Sequence, residues 1–215
     1  MQFNTFLNLI PKIKQIPLMA SEAHLKMAPL ERIKYYDKDY DFSVHNPRES
    51  AVLSLFYPKQ DETHLLLIVR ATYPGIHSSQ IAFPGGKREV EDLDLMATAL
   101  RETNEEVGIQ PNEIEVVRKF SDLYIPPSNF LVSPYMGVHH QEIEIHIDPR
   151  EVASYIEVPL KELLNDALIS DIKMSTSYAN EIMVPAFVIE DHVVWGATAM
   201  ILSEIKDTIN NVLIK

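Results

Sequence analysis

GGKREVEDLDLMATALRETNEEVGI, residues 85–109, is the stretch around which the rest of the chain is organised. It joins a glycine pair to a short acidic loop and then to a segment with helical periodicity. On a helical projection, one arc that we expect to face the core contains Leu93, Met96, Ala97, Leu100 and Val107. The opposite arc contains three carboxylates, Glu102, Glu105 and Glu106.

A carboxylate face of this kind repels itself, because like charges three and four residues apart destabilise a helix. Arg101 is the one basic residue in the helical part of the stretch. A hard divalent cation, Mg²⁺ or Mn²⁺, would resolve the repulsion, since it prefers clustered carboxylate oxygens. Gly85 and Gly86 would let the backbone approach such an ion or a phosphate. Gly108 stands where a glycine commonly ends a helix.

The stretch resembles the Nudix box, in which a glycine, five residues, a glutamate and seven residues precede Arg-Glu-apolar-x-Glu-Glu-x-Gly-apolar. The second half of that pattern is matched by Arg101, Glu102, Glu105, Glu106, Gly108 and Ile109, with Thr103 at a position that is usually apolar. The first half is longer by one residue. The first acidic position therefore falls on Asp92, with Glu89 and Glu91 as alternatives.

The resemblance implies roles for the matching residues. The glutamates of the second half, Glu102, Glu105 and Glu106, would bind the metal and take part in catalysis, with Gly86 as a further metal contact. Arg101 would form an orienting ion pair. Which carboxylate deprotonates the attacking water is left open.

A second resemblance covers residues 66–86, LLIVRATYPGIHSSQIAFPGG, which are similar to the signature of the coenzyme A pyrophosphatase branch of Nudix hydrolases. The matching positions are Leu66, Leu67, Arg70, Phe83, Pro84, Gly85 and Gly86. The departures are Ile68 for Thr, Ala71 for Ser, Gly75 for a second Arg and Ser79 for Gly. The lost Arg matters most, because a guanidinium is a natural partner for phosphate, and coenzyme A carries a ribose phosphate besides its pyrophosphate.

Candidate substrate contacts lie in and around this signature. They are Arg70, Gln80, Phe83 and Lys87. His77 lies in the same loop and is either a further contact or merely exposed. Tyr124 or Phe130 could stack on an adenine, although packing is the favoured interpretation.

A group of histidines and glutamates superficially resembles a metal site: His139, His140, Glu142, Glu144 and His146. Polar residues alternate with apolar ones at 142–146, which is typical of an edge strand with its polar side in water. We therefore expect an edge strand here, and zinc binding or a single glutamate acting as general base are the alternatives.

The composition limits the class of protein. The chain has 215 residues, 46% of them hydrophobic, which suits one sizeable core. It has no cysteine, which excludes disulfides and thiolate chemistry and fits a reducing compartment such as the cytoplasm. A net charge of −12 argues against nucleic-acid binding, and no apolar run approaches the length of a membrane span.

Residues 1–45 are expected to form a helical appendage, and residues 46–215 the Nudix domain. The apolar residues of the first segment have helical spacing, interrupted by Pro11. Its lysines follow the apolar part, which is not the order of a signal peptide. We expect this segment to pack on the domain or on a second subunit, so a homodimer is one of the assemblies that the sequence allows.

The periodicity predicts strands at 51–57, 65–70, 113–120, 131–138, 151–158, 181–189 and 192–195. A short helix is expected at 160–168, and a terminal helix with an apolar stripe of Ala197, Ile201, Ile205, Ile209 and Val212. This order is typical of an α+β domain with a mixed sheet between helices. The Nudix resemblance implies the α/β/α sandwich of that family.

The resemblance also implies an activity, namely metal-dependent hydrolysis of a nucleoside diphosphate linked to another group. Its narrower form is cleavage of coenzyme A or acyl-coenzyme A to adenosine 3′,5′-bisphosphate and a 4′-phosphopantetheine product. The alternative substrate is ADP-ribose or a similar derivative, which the departures at Ala71 and Gly75 leave open. The alternative class is a non-catalytic nucleotide-binding module, expected to lack the glutamates of the second half.

Overall fold

A computed structural model describes residues 1–36, 40–72, 80–176 and 179–214. The α-helices in these ranges are α1 (Phe3–Leu7), α2 (Ile10–Gln15), α3 (Ser21–Leu25), α4 (Leu95–Val107), α5 (Leu160–Leu163) and α6 (Gly196–Ile214). The strands are β1 (Arg48–Lys59), β2 (Glu62–Arg70), β3 (Ile81–Ala82), β4 (Gly85–Lys87), β5 (Ile114–Lys119), β6 (Leu123–Ile125), β7 (Phe130–His139), β8 (Val152–Pro159), β9 (Ile169–Thr176), β10 (Ala179–Ile189) and β11 (His192–Trp195).

The larger sheet is mixed, as the sequence predicted. Its central path runs β3-β2-β1-β7-β5, while β4 pairs with β1, β6 with β7 and β8 with β2. The β1–β7 pair is parallel and the other pairs are antiparallel. A separate antiparallel sheet has the order β11-β10-β9, and β9 is a strand that the sequence patterns did not predict.

The two faces of the sheet bury different side chains. Along β1, Leu53, Leu55 and Tyr57 pack in a cluster with residues of α4, whereas Phe56 packs in a cluster with residues of α6. Alternate side chains of a strand point to opposite faces, so a strand covered on both sides is apolar on successive residues. Helices therefore lie on both faces of the mixed sheet, which confirms the predicted α/β/α arrangement.

The N-terminal segment contributes to the main core. Phe3, Phe6, Ile10 and Ile13 are buried in the same hydrophobic cluster as Phe56 of β1. Pro11 lies in the first turn of α2, where its missing N–H breaks no hydrogen bond, so the interruption comes before the proline. These helices therefore pack on their own chain, one of the two arrangements that the sequence analysis expected.

The terminal helix α6 buries more of its surface than the single apolar stripe predicted from the sequence. Buried positions on it include Ala199, Met200, Leu202, Ser203, Glu204 and Lys206, besides the predicted stripe, of which Ala197 is only partly buried. The Glu204 carboxylate accepts hydrogen bonds from the Ala20 N–H (3.0 Å) and from the N–H and hydroxyl of Ser121 (3.1 and 2.6 Å), and it pairs with the His24 ring (3.2 Å). The second face of α6 is thus covered by the N-terminal segment.

No helix in the described ranges combines the length and apolar character needed to cross a membrane. The division into an appendage at 1–45 and a domain at 46–215 stays a prediction. Because the N-terminal segment shares a core with the rest of the chain, a substitution in this segment tests that division directly.

Replacing Phe6 should destabilise the whole fold. Its ring is 0% exposed and its centroid lies 5.0 Å from that of Phe56. We expect Phe6→Ala to lower the free energy of unfolding by about 3–5 kcal/mol, measured by urea denaturation, because the truncation leaves a cavity in a closed core. The control is Leu30→Ala, since Leu30 is 76% exposed and should change stability little. Equal behaviour of the two variants would show that the N-terminal segment folds separately.

Candidate metal centre

Helix α4 has a defined start and a defined end. The Asp94 carboxylate accepts a hydrogen bond from the Ala97 N–H at 2.8 Å, as an N-cap residue does. At the other end Gly108 has φ 81°, a left-handed conformation that favours glycine, and its N–H donates to the Asn104 carbonyl at 2.9 Å. This confirms the glycine cap predicted from the sequence.

The face of α4 that packs on the sheet differs from the predicted one. Its buried residues are Thr98, Ala99, Thr103, Glu106 and Val107. Leu93 is 92% exposed and precedes the helix, and Met96 is 37% exposed. The prediction placed all three carboxylates on the arc opposite the core. Small residues instead let α4 approach the sheet closely, which turns Glu106 inward.

The glycine pair of β4 lies directly against two glutamates of α4. The Gly85 N–H donates to Glu106 Oε2 at 2.8 Å. A Cβ on Gly86 would lie 2.4 Å from the Glu102 carboxyl carbon, a distance that no side chain could occupy without displacing it. The absence of a side chain at Gly86 therefore makes the observed place of Glu102 possible.

Three carboxylates converge beside this glycine pair. Oxygens of Glu102, Glu106 and Glu151 lie within 4.8 Å of one another, the one group of potential metal ligands among the described residues. Glu105 lies outside this group. Its side chain is 53% exposed, and its carboxylate accepts a hydrogen bond from Arg101 Nη1 at 2.9 Å. As a metal ligand it stays a prediction of the family resemblance.

Glu151 is the member of the site that sequence reasoning missed. It immediately precedes β8, and the β2–β8 register pairs Arg70 with Val152, so Glu151 lies at the sheet end where Arg70 emerges. Only the pairing of β2 with β8, two strands that are far apart in sequence, reveals that Glu151 lies near Arg70. Nothing in the local pattern around Glu151 distinguishes it from other surface glutamates.

The turn that carries Glu151 is attached to the end of α4. The Asp148 N–H donates to the Glu106 carbonyl (3.1 Å), the His146 N–H to the Val107 carbonyl (3.0 Å), and the Glu151 N–H to the Asp148 carbonyl (3.0 Å). The first two bonds satisfy carbonyl groups that a helix terminus leaves free. They also link the third carboxylate to the backbone of the second.

The segment that was predicted as an edge strand, 142–146, is not paired as a strand. Its alternation is nevertheless real, because Ile143, Ile145 and Ile147 pack towards the core. The His146 N–H donates to the Val107 carbonyl at the end of α4 instead of to a neighbouring strand. The alternative of a zinc site receives no support from the described residues, since the His139–His146 group forms no cluster of potential ligands there.

Arg101 and Asp92 form a two-point ion pair. Arg101 Nε donates to Asp92 Oδ1 at 2.9 Å and Nη2 to Oδ2 at 3.0 Å. Asp92 also accepts from the Thr98 hydroxyl (2.8 Å) and from the Glu89 N–H (2.9 Å). The hydrogen bonds from Arg101 hold the pKa of Asp92 well below its usual range. Among the three candidates for the first acidic position, Asp92 is the one that meets Arg101.

The burial of Glu106 changes the pKa of its carboxyl group. Burial raises its pKa from 4.5 to about 8, with Glu102 and Glu151 adding to the rise, while the Gly85 N–H and Arg70 oppose it. Arg70 Nη1 lies 3.3 Å from Glu106 Oε1. Burial also raises the pKa of Glu102. A cation among these oxygens would favour their ionised forms.

The candidate substrate contacts fall into different environments. Arg70 lies against Glu106, the Gln80 carbonyl accepts the Arg70 N–H at 3.0 Å, and Lys87 is exposed at the end of β4. Phe83, in contrast, is 2% exposed and packs within the main core, and as a substrate contact it stays a prediction. His77, like Gly75 and Ser79 of the signature, lies outside the described residues.

The aromatic candidates also differ. Tyr124 is buried between the rings of Phe42 and His45, with centroids 5.9 and 5.7 Å away, so it packs within its own chain. Phe130 is partly buried against the main core.

Gly86→Ala should preserve the fold and weaken metal binding. The atoms that the new Cβ would meet belong to the end of the Glu102 side chain, which can turn away without moving the backbone. We expect a melting temperature in EDTA within about 3 °C of the unmodified protein. The affinity for Mn²⁺, measured by calorimetry, should fall about 10-fold or more. Glu102→Gln should lower the Mn²⁺ affinity by a similar factor, and the double variant should bind no more weakly than Glu102→Gln alone. If the two losses add fully in the double variant, the substitutions do not act through the same side chain.

The raised pKa of Glu106 should make the stability of the metal-free protein depend on pH. A carboxyl with a pKa of 4.5 when unfolded and about 8 when folded stabilises the fold below the first value. That contribution is lost as the pH rises through the second value. Between about pH 5 and pH 8, the melting temperature in EDTA should therefore fall more steeply for the unmodified protein than for Glu106→Gln. The exposed Glu91→Gln serves as control, and equal slopes for all three proteins would disprove the assignment.

Comparison with known proteins places these features in a family. An uncharacterized Nudix hydrolase NudL of Photorhabdus laumondii is 34% identical over 160 residues, which cover 74% of this chain and 84% of that protein. The NudL of an Enterobacter species is 32% identical over 167 residues, covering 75% and 83%. Among solved structures, a MutT/nudix family protein from Enterococcus faecalis has a TM-score of 0.48 at 17% identity, covering 94% of this chain and 76% of that one.

The NUDIX domain model matches residues 47–177, more than half of the chain. That range contains the glycine pair, α4 and all three converging carboxylates. The chain therefore belongs to the Nudix hydrolase family and is a pyrophosphohydrolase of nucleoside diphosphate derivatives.

Proposed function

We propose that the chain is a coenzyme A diphosphatase, which hydrolyses the pyrophosphate of coenzyme A or acyl-coenzyme A. The products would be adenosine 3′,5′-bisphosphate and 4′-phosphopantetheine or its acyl form. The observation that carries this proposal is the match of residues 66–86 to the signature of that branch, together with the place of Arg70, 3.3 Å from Glu106. The signature arginine is thus positioned beside the carboxylates, where a phosphate would bind.

Glu102, Glu106 and Glu151 would hold Mg²⁺ or Mn²⁺. Three carboxylates within 4.8 Å form a donor set that suits a hard divalent cation and that is unfavourable without one. Such an ion neutralises charge on phosphate oxygens and lowers the pKa of a bound water. We propose two further contacts of the ion. One is the Gly86 carbonyl, and the other is the carboxylate of Glu105, which also pairs with Arg101.

The remaining residues would bind and orient the substrate. Arg70 keeps further N–H donors besides the one directed at Glu106, and a guanidinium pairs well with a diphosphate oxygen. Lys87 follows the glycine pair, and the Gln80 carbonyl accepts the Arg70 N–H. Both residues are proposed as additional substrate contacts. Arg101 keeps α4 in place through Asp92.

Proton transfer from the attacking water is assigned to Glu151, through a carboxylate oxygen that does not bind the cation. Glu106 is enclosed and tied to Gly85 and Arg70, whereas Glu151 is exposed to solvent. In the reaction the water oxygen forms a bond to phosphorus, the bond to the bridging oxygen breaks, and the water proton passes to the carboxylate and on to solvent.

ADP-ribose remains the alternative substrate, because Ala71 and Gly75 depart from the signature. A Nudix domain of Shewanella oneidensis NrtR was crystallised with ADP ribose, but its TM-score of 0.44 and identity of 19% support no assignment here. A non-catalytic module is less favoured, since the glutamates of the box are all present. We further propose a cytoplasmic protein that acts without nucleic acid or membranes.

A substrate panel tests the proposed activity. Coenzyme A, acetyl-coenzyme A, ADP-ribose and diadenosine polyphosphates would be incubated with Mg²⁺ or Mn²⁺, and the products identified by chromatography. We expect coenzyme A and its thioester to be cleaved preferentially. Glu102→Gln, Glu106→Gln and Glu151→Gln should each lower kcat by about 100-fold or more, because each removes a ligand or the proton acceptor.

The matched control is Glu91→Gln, which removes one exposed negative charge from the same region and should leave kcat unchanged. Glu105→Gln in the same series reports whether Glu105 binds metal. Preferred cleavage of ADP-ribose would reject the coenzyme A assignment and keep the hydrolase. Binding of all substrates without turnover would favour the non-catalytic module.

A further inference from the structure

Arg48 forms a rigid platform with Phe130 at one end of the mixed sheet. The two residues begin β1 and β7 and are register partners. The Arg48 guanidinium carbon lies 4.1 Å from the centroid of the Phe130 ring, and Arg48 Nη2 donates to the Ser128 carbonyl at 2.8 Å. Stacking on the ring and a hydrogen bond to the backbone fix the plane of the guanidinium, while the residue remains exposed.

Within the described ranges, neither Arg48 nor Lys87 forms an ion pair with a carboxylate. Other cations near the site are paired, for example Arg88 with Glu49 at 2.9 Å and Arg101 with Asp92. In a chain with a net charge of −12, two neighbouring cations without acidic partners indicate a place for an anion.

The register places these two cations close together. Lys87 lies opposite Ser50 on β1, and Arg48 is two residues before Ser50, on the same face of the sheet. Diagonal neighbours on adjacent strands have backbones about 7–8 Å apart, so both side chains can reach one phosphate group. Lys87 follows Gly86, and a Cβ on Gly86 would point at the Glu102 carboxyl group. Glu102 and Glu106 belong to α4, on the opposite face of the sheet from the Arg48 and Lys87 side chains, so a ligand at the carboxylates would reach Arg48 by passing around the end of β4.

We propose that Arg48, together with Lys87, binds a phosphomonoester on the ribose of the substrate and so selects the phosphorylated nucleotide. This inference rests on the proposed function, in which the diphosphate lies at the carboxylates. A planar guanidinium can bind two phosphate oxygens at once. Arg48 would thereby supply a guanidinium to a chain that has Gly75 where the signature has its second arginine.

The test compares coenzyme A with dephospho-coenzyme A, which lacks only the ribose 3′-phosphate. The unmodified protein should have the higher kcat/KM for coenzyme A. In Arg48→Ala this value should fall by about 10-fold or more, the effect of a lost charge-assisted hydrogen bond, while that for dephospho-coenzyme A changes less than about 2-fold. Arg48→Lys should recover only part of the loss.

Arg88→Ala is the matched control, because it removes one positive charge that is paired with Glu49. It should leave the preference between the two substrates unchanged. Equal loss on both substrates in Arg48→Ala, or no loss on either, would overturn the inference. So would an unmodified protein that cleaves the two substrates equally well.

Failure of the proposed function can be distinguished from failure of this inference. If ADP-ribose is cleaved and coenzyme A is not, the coenzyme A assignment is rejected. The phosphate site is then measured by inhibition of ADP-ribose cleavage with adenosine 3′,5′-bisphosphate and adenosine 5′-monophosphate. Tighter inhibition by the bisphosphate, lost in Arg48→Ala and kept in Arg88→Ala, would support the site. Equal inhibition of the unmodified protein by both would reject it.

Discussion

The close approach between the glycine pair of β4 and helix α4 is the contact on which the metal centre depends. Gly86 leaves the space that the Glu102 carboxyl group occupies, and the Gly85 N–H donates to Glu106. This proximity encloses a carboxyl group whose ionised form is costly to bury without compensation. The hydrogen bond and Arg70 compensate in part, and a divalent cation would complete the compensation.

The ion pair between Arg101 and Asp92 explains how the box tolerates one additional residue. Arg101 also donates to the Lys87 carbonyl at 3.1 Å, so a single guanidinium joins the end of β4, the acidic loop and α4. Glu89, Glu91 and the rest of the loop surface face solvent, where an extra residue displaces nothing. Metal-binding geometry can therefore persist despite the changed spacing.

The packing of α4 shows where counting apolar residues fails. Leu93 and Met96 suggested a core face, but Thr98 and Ala99 form it instead. A helix that must bring carboxylates close to a glycine backbone requires small side chains at the contact, and bulky apolar residues there would hold it away. The hydroxyl of Thr103 is satisfied by the Ala99 carbonyl at 2.7 Å, which makes its burial tolerable.

The sequence by itself determined the features that depend on near neighbours. These are the five longer strands of the mixed sheet (β1, β2, β5, β7 and β8), the cap at Gly108 and the spacing that places Glu102 and Glu106 one helical turn apart. Only the tertiary structure decided that Glu151 joins them and that Arg48 stacks on Phe130. Helical spacing and caps are set by contacts within a few residues of each other. Strand register and turn attachment, in contrast, arise from hydrogen bonds between distant segments, which no local pattern encodes.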